Sequence, residues 1–187
     1  ASPSESDHEL ADQGWTIDAF QLEGTEEPGV RRVQAEVRFA LPAKAVWKVI
    51  NGESRGNTRW PGFKEAELVW ASGDSSISRY HLDVPLYRDR HYELLKVEDQ
   101  DAMALDFAMV PGYGNVDEIE GRWNVTPVSD TLTYVEYRLD TDPGVDLVPG
   151  FIVEWATKNA IPKSFRYVYQ RALNLVETGP TLGERIR

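Results

Sequence analysis

The chain has 187 residues, 41% of them hydrophobic, and a formal charge of −11. That length and apolar content suit one globular domain with a sizeable core and exclude a disordered chain. The acidic balance argues against non-specific nucleic-acid binding and against docking on anionic membranes, because phosphate contact needs basic patches.

The charge is unevenly placed. Eight carboxylates (Glu5, Asp7, Glu9, Asp12, Asp18, Glu23, Glu26, Glu27) precede Arg31 with no Lys or Arg among them, and the remainder carries 23 acids against 20 bases, or −3. There is no cysteine, so disulfides, thiolate metal sites and cysteine nucleophiles are absent and the redox compartment stays open. No apolar run approaches the roughly 18–20 residues of a membrane-spanning helix. The abrupt start at ASPSES reads either as a mature end left by signal cleavage or as a cut. The former is expected, with a periplasmic or secreted location, and a cytoplasmic one is the alternative.

In chain order, residues 1–13 are polar and acidic and read as a disordered arm. The stretch from Trp15 to Phe20 reads as a short strand, and Pro28-Gly29 as a turn. From Val33 to Leu41 apolar and polar residues alternate, the mark of a strand with one wet face. Pro42 opens a helix over AKAVWKVI, and Asn51-Gly52 closes it. Strands follow near Ala66–Trp70, over Ile77–Val84 and from His91 to Val97. In the second, Tyr80, Leu82 and Val84 oppose Arg79, His81 and Asp83. Another strand runs over Met103–Met109, with Met103, Leu105, Phe107 and Met109 on one side. VPGYGNVDEIEG reads as a long glycine-bearing loop. Gly121–Val128 and Leu132–Leu139 form a hairpin across Ser129-Asp130.

The longest helical pattern spans Val148 to Val176. Its first half gathers Val148, Phe151, Ile152 and Trp155 on one face. Its second half gathers Ile161, Phe165, Val168, Tyr169, Ala172 and Val176. The two faces are offset, and Pro162 between them predicts a kink. Strands followed by a helix point to an α+β fold, with a curled antiparallel sheet around the long helix.

Several motifs resemble one family. Trp15-Thr16-Ile17 with Gly29-Val30, then Trp60-Pro61-Gly62-Phe63, are similar to its opening strands and to the loop after its short helix. Val84-Pro85-Leu86-Tyr87-Arg88-Asp89-Arg90-His91-Tyr92 resembles a further segment. Gly121-Arg122-Trp123-Asn124-Val125-Thr126-Pro127, Asp142-Pro143-Gly144, Val148-Pro149 and Ile161-Pro162 reproduce a spaced Gly, Trp and Pro skeleton. Together, over Trp15 to Val176, they resemble a START domain, the steroidogenic-acute-regulatory-protein-related lipid-transfer family. His91 departs from the family's usual Asp, and Val145 from its second glycine after Asp-Pro-Gly. The resemblance implies a helix-grip fold over residues 14–178, with residues 179–187 as a tail. It also implies an internal lipid cavity closed by the C-terminal helix and a neighbouring loop.

On the residues alone, the apolar strand faces either fill a solid core or line a hollow. The resemblance favours a hollow, with Tyr80, Leu82, Leu105, Phe107, Met109, Tyr113, Tyr137, Phe151, Ile152, Trp155 and Asn159 as lipid-binding residues. Asn159 either bonds a lipid oxygen or satisfies backbone freed by Pro162. His81 with Asp83 and Asp89 with His91 could share strand faces, but no closed metal-ligand spacing follows. No cofactor, metal or catalytic constellation is expected. The 110–120 loop, with Gly112 and Gly114, is the expected gate.

Three functions remain open on the sequence. The first is lipid binding for transfer or sensing, without chemistry, by a monomer in transient contact with membranes. The second is a cyclase or aromatase acting on a bound polyketide-like substrate, with His81 or Asp83 as acid or base. The third is a scaffold whose filled interior serves only protein contacts.

Overall fold

The computed structural model describes residues 4–55, 61, 63–82, 89–142 and 161–178, with the backbone alone at 53–55. One antiparallel sheet holds eight strands: β1 (Trp15–Gly24), β2 (Arg31–Phe39), β3 (Phe63–Ser72), β4 (Ser75–Leu82), β5 (Arg90–Asp99), β6 (Ala104–Gly114), β7 (Glu118–Ser129) and β8 (Leu132–Asp142). Three helices are described: α1 (Glu5–Gln13), α2 (Ala43–Arg55) and α3 (Ile161–Thr178). The strand order is β1-β2-β8-β7-β6-β5-β4-β3. The segment carrying α2 therefore takes the chain from β2, beside one edge, to β3 at the other. From β3 the chain returns strand by strand until β8 pairs with β2.

The inner face of the curved sheet follows from period-two burial and register. Val33, Ala35, Val37 and Phe39 of β2 are buried, while Gln34 and Glu36 between them are exposed. Across the sheet Val37 faces Val135, which faces Val125, and Ala35 leads through Tyr137 and Trp123 to Leu105. On this face α3 buries Phe165, Val168 and Ala172, at helical spacing. Helix α2 adds Val46, Trp47, Val49 and Ile50 to the same core and packs against α3. Burying a side chain such as Phe165 stabilises the fold by about 1.5–3 kcal/mol. This is the expected α+β helix-grip architecture.

Four expectations change. Residues 5–13 are not a frayed arm but helix α1. Ser4 and Asp7 form a capping box, and Gly14 closes the helix in the left-handed region at φ 80°. The acids of α1 and of neighbouring β1 also find partners on the sheet. Asp7 and Asp18 both pair with Arg38, at 3.0 and 2.6 Å, and Glu9 accepts from the Thr16 hydroxyl at 2.9 Å.

Helix α2 runs past Asn51-Gly52 to Arg55. Gly52 is not among the positive-φ glycines, so it stays in the helix. A glycine permits the left-handed stop without enforcing it.

The expected 110–121 loop is largely strand, since β6 continues to Gly114 and β7 begins at Glu118. A register break absorbs its turn-forming residues. Between the pairs Leu94/Met109 and Tyr92/Gly114, Glu93 alone lies opposite Val110 to Tyr113. Gly114 has φ 99°, and a Cβ there would strike the His91 carbonyl, so the close approach requires glycine. A gate over 110–120 therefore loses its loop.

The fourth change concerns α3, which is described from Ile161 to Thr178, two residues past Val176, with Val176 exposed. The expected first half of that helix, with the bend across Pro162, lies outside the described residues.

Candidate functional site

The inner face has two apolar regions. One, under α2 and α3, contains Trp123, Leu105, Val135 and Phe165, with Tyr137 and Phe107 packed against it. Its rings interlock: Trp123 and Tyr137 lie 4.3 Å apart between centroids, and Phe165 meets both edge-on at 5.9 and 6.1 Å. The second region, towards β4 and β5, contains Tyr92, Leu94, Val116 and Ile119, with Phe63, Tyr80, Met109 and Leu139 against it. Phe107 touches both. Burial holds the Tyr80 hydroxyl protonated, pushing its pKa up to about 12, and raises those of Tyr92 and Tyr137 as well.

Beside the second region the pattern inverts. On β5, Lys96 and Glu98 turn inward and are 3% and 4% exposed, whereas Leu95 and Val97 turn outward at 39% and 45%. On β4, Ser76 and Ser78 are buried on the inner side, while Ile77 stands in the outer row between Trp70 and Leu95. Across the ladder, Ser76 lies opposite Lys96, and Ser78 opposite Leu94. A buried lysine needs partners. The Lys96 Nζ donates to Ser78 Oγ at 2.8 Å and to the Tyr80 hydroxyl at 2.7 Å. Burial lowers its pKa to about 7, against a smaller opposing pull from Glu98. Glu98 accepts from Gln100 Nε2 at 2.8 Å, and Gln100 Oε1 accepts from the Trp47 indole at 3.0 Å. Among the described residues, the Ser76 hydroxyl is buried with no hydrogen-bond partner. The row Ser76, Ser78, Tyr80, Lys96 and Glu98 can therefore hold oxygen atoms of a ligand, and its amine is partly uncharged at neutral pH.

The expected site residues distribute as follows. Tyr80, Phe107 and Met109 meet around the second region, and Leu105, Phe107 and Tyr137 belong to the first. Leu82 ends β4, paired with Phe63 on one side and Arg90 on the other. Phe151, Ile152, Trp155 and Asn159 lie outside the described residues.

Tyr113 is a correction. The register break turns it to the outer face, where the Arg79 guanidinium sits 4.5 Å from its ring centroid and His91 lies edge-on at 5.7 Å. His81 and His91 also meet on that face, 5.5 Å apart. Among the described residues, no group of three or more acids and histidines is arranged to hold a metal ion. The outer face also carries a trough of about 660 Å³ whose lining includes Glu36, Asp106, Arg122 and Arg138. It lies across the sheet from the interior described above.

Sequence reasoning missed Lys96, Glu98, Ser76 and Ser78. A signal was present, because HYELLKVED can alternate in either phase. Pairing Tyr92 with Tyr80 would have selected the phase that sends the lysine inward.

A family model described as polyketide cyclase/dehydrase and lipid transport matches residues 30–178. Among solved structures, the chain is similar to the Zhui aromatase/cyclase from Streptomyces sp. R1128. The TM-score is 0.67 at 17% identity, over 82% of this chain and 99% of that one. It is similar to a STAR-related lipid transfer protein fragment from Xanthomonas axonopodis, with TM-score 0.67 at 18% identity, over 86% and 99% of the two chains. Human STARD10 gives 0.56 at 13% identity, over 95% and 82%. At these identities the likeness is one of fold. No curated protein matches the chain at a significant level.

Proposed function

The chain belongs to the polyketide cyclase/dehydrase and lipid-transport family, and from that premise we propose that it binds a lipophilic ligand inside the helix grip without transforming it. The ligand's apolar body lies along Tyr80, Tyr92, Phe107 and Met109, and its oxygen-bearing end meets Lys96, Ser78 and Ser76. One observation carries the reading: a buried polar row whose apolar neighbours face solvent, beside an apolar wall. A chain selected only for a solid core would place Leu95 and Val97 inside and Lys96 outside. Burying about 500 Å² of ligand contributes roughly 12 kcal/mol gross at 25 cal/mol per Å². Association and ordering offset much of this, and the polar row sets orientation.

Native mass spectrometry after mild purification tests the reading. A co-purifying lipophilic molecule, and its competition by added fatty alcohol, is the expected result. A chain that carries no such molecule and binds no hydrophobic probe after delipidation refutes it.

A second reading, a cyclase-type enzyme, is favoured by one feature. A general base works best with a pKa near the working pH, and Lys96 meets that condition. Of the two expected acid–base candidates, His81 lies on the outer face and Asp83 lies outside the described residues, so Lys96 carries this reading. Turnover of a poly-β-ketone substrate, lost in Lys96→Met, would decide for the enzyme.

A further inference from the structure

We infer that the ligand carries an aldehyde or ketone and that Lys96 bonds it reversibly as an imine, a step that rests on the binding site proposed above. The geometry is that of an amine held by two hydroxyls, with a third hydroxyl on the same inner face. Tyr80 and Ser78 fix the Nζ at 2.7 and 2.8 Å. Ser76 stands directly opposite Lys96 across the β4–β5 ladder, at a Cβ separation of about 5 Å, with its hydroxyl fully buried and without a hydrogen-bond partner among the described residues. The amine itself reaches along β4 to Ser78 and Tyr80, and the Ser76 hydroxyl, on the same inner face, is assigned as donor to the oxygen of the group that the amine attacks. The wall beside the row is apolar and aromatic, which suits a hydrocarbon body and keeps bulk water from competing.

The step balances without a further reagent. The Nζ lone pair attacks the carbonyl carbon, and the carbonyl oxygen takes up a proton to give a carbinolamine. That oxygen then leaves as water while nitrogen loses its second hydrogen, and the C=N bond forms. Addition of water reverses the sequence and releases the ligand. No atom is oxidised or reduced.

Selectivity follows from the charge state. An ordinary lysine near pKa 10.4 is about 0.04% neutral at pH 7, whereas an amine titrating at about 7 is half neutral there. The buried amine thus offers roughly a thousand times more nucleophile than a surface lysine. A carboxylate headgroup fits less well. It would need Lys96 protonated against its burial, and Glu98 shares the row. Among the described residues, the titratable groups that face the amine are Tyr80 from β4 and Glu98 from its own strand, with Tyr92 and Tyr137 further along the inner face.

The test uses the full chain with dodecanal and sodium cyanoborohydride, which reduces an imine to a stable secondary amine. Intact mass and peptide mapping read the adduct. Dodecanol, with the same chain and no carbonyl, reports binding alone by competing a hydrophobic fluorophore. The expected result is one dodecyl group on Lys96, at a rate at least tenfold above any other lysine and falling as pH drops below about 7. Lys96→Met should lose the adduct while still binding dodecanol. Ser76→Ala should slow adduct formation by a larger factor than it weakens dodecanol binding, because both ligands share the oxygen contact and only the carbonyl draws on its proton. Dodecanol binding with no adduct, or with label spread evenly over the surface lysines, overturns the imine and leaves the binding site standing. No binding of either probe overturns both.

Discussion

The Lys96 ammonium nitrogen lies 2.7 Å from the Tyr80 hydroxyl, on the inner side of a strand whose leucine and valine neighbours face solvent. This arrangement has a thermodynamic consequence. Folding places an amine that titrates near 10.4 in the unfolded chain where it titrates at about 7. Between those values the unfolded chain holds a proton that the folded chain lacks, so stability rises with pH across that window. Below it both states are charged, and the destabilisation is constant at its full size.

Lys96→Met should therefore be more stable than the parent at about pH 6, by roughly 3 kcal/mol. The shift contributes up to about 5 kcal/mol at 1.4 per unit, and the two lost hydrogen bonds offset about 1 each. The difference should shrink as pH rises towards about 10. Urea midpoints at several pH values check this. Parallel profiles for the two proteins would show that Lys96 titrates normally.

The fold was legible because its signals were redundant. Val33 to Phe39 and the hairpin of β7 and β8 alternate cleanly, and Phe165, Val168 and Ala172 recur at helical spacing. Each pattern stood in many residues at once. The site was legible only where the wall is apolar, as at Tyr80, Phe107 and Met109. Lys96 and Glu98 were not, because a charged pair in a strand reads as its wet face, and only cross-strand pairing shows otherwise. Tyr113 was misplaced because Val110 to Gly121 reads as a loop, and the register break that sends its ring outward shows only in the cross-strand pairing. The capping box of Ser4 and Asp7 was present in the sequence, but eight nearby carboxylates outweighed it. Of these, Asp7 and Asp18 are paired with Arg38, which is distant in sequence, and Glu9 accepts from the Thr16 hydroxyl.

Asp140 is a further buried charge, and here the partners are strong. Arg32 grips it with two bonds of 2.8 Å, and Arg138 adds one of 2.6 Å. The pair ties β2 to β8, where Arg32 stands opposite Asp140. The Arg32 bonds lead in holding the Asp140 pKa down at about 2. A depressed carboxylate contributes stability above its unfolded value of about 3.9. That contribution is lost as pH falls towards the folded value. Asp140→Asn should lower stability by about 1–2 kcal/mol at neutral pH and flatten the acid limb between about pH 4 and pH 2. Thermal melts across that range check it; an unchanged acid limb would refute the role.

The outer cluster of Arg79, His81, His91 and Tyr113 should be separable from ligand binding. These side chains face away from Tyr80 and Lys96, and Arg79 is already paired with Glu93 at 2.7 Å. His81→Ala and Tyr113→Ala should leave the affinity for a hydrophobic probe within about twofold, since exposed substitutions usually act within ±0.5 kcal/mol. Titration of delipidated variants with the probe measures this. A loss beyond tenfold in His81→Ala, with the fold intact, would move the site to the outer face.

The last prediction concerns the floor of the interior. Gly121 stands on β7 between Phe107 of β6 and Leu139 of β8. A Cβ at that position would meet the Phe107 ring on one side and the Arg138 carbonyl on the other. The backbone is not strained there, so the need for glycine is one of space. The Phe107 ring lies over the bare backbone, stacked with Tyr137 at 6.5 Å, and joins the two apolar regions. Gly121→Ala must push the ring off the floor or shift the strand. Overpacking of this kind costs about 1–3 kcal/mol. The displaced ring should also narrow the space beside Met109 and Tyr80 and weaken probe binding several-fold. Gly121→Ala combined with Phe107→Leu should recover part of the binding, because the smaller side chain clears the new methyl group. Equal binding by the single variant and the parent would mean that the ligand does not lie on this part of the sheet.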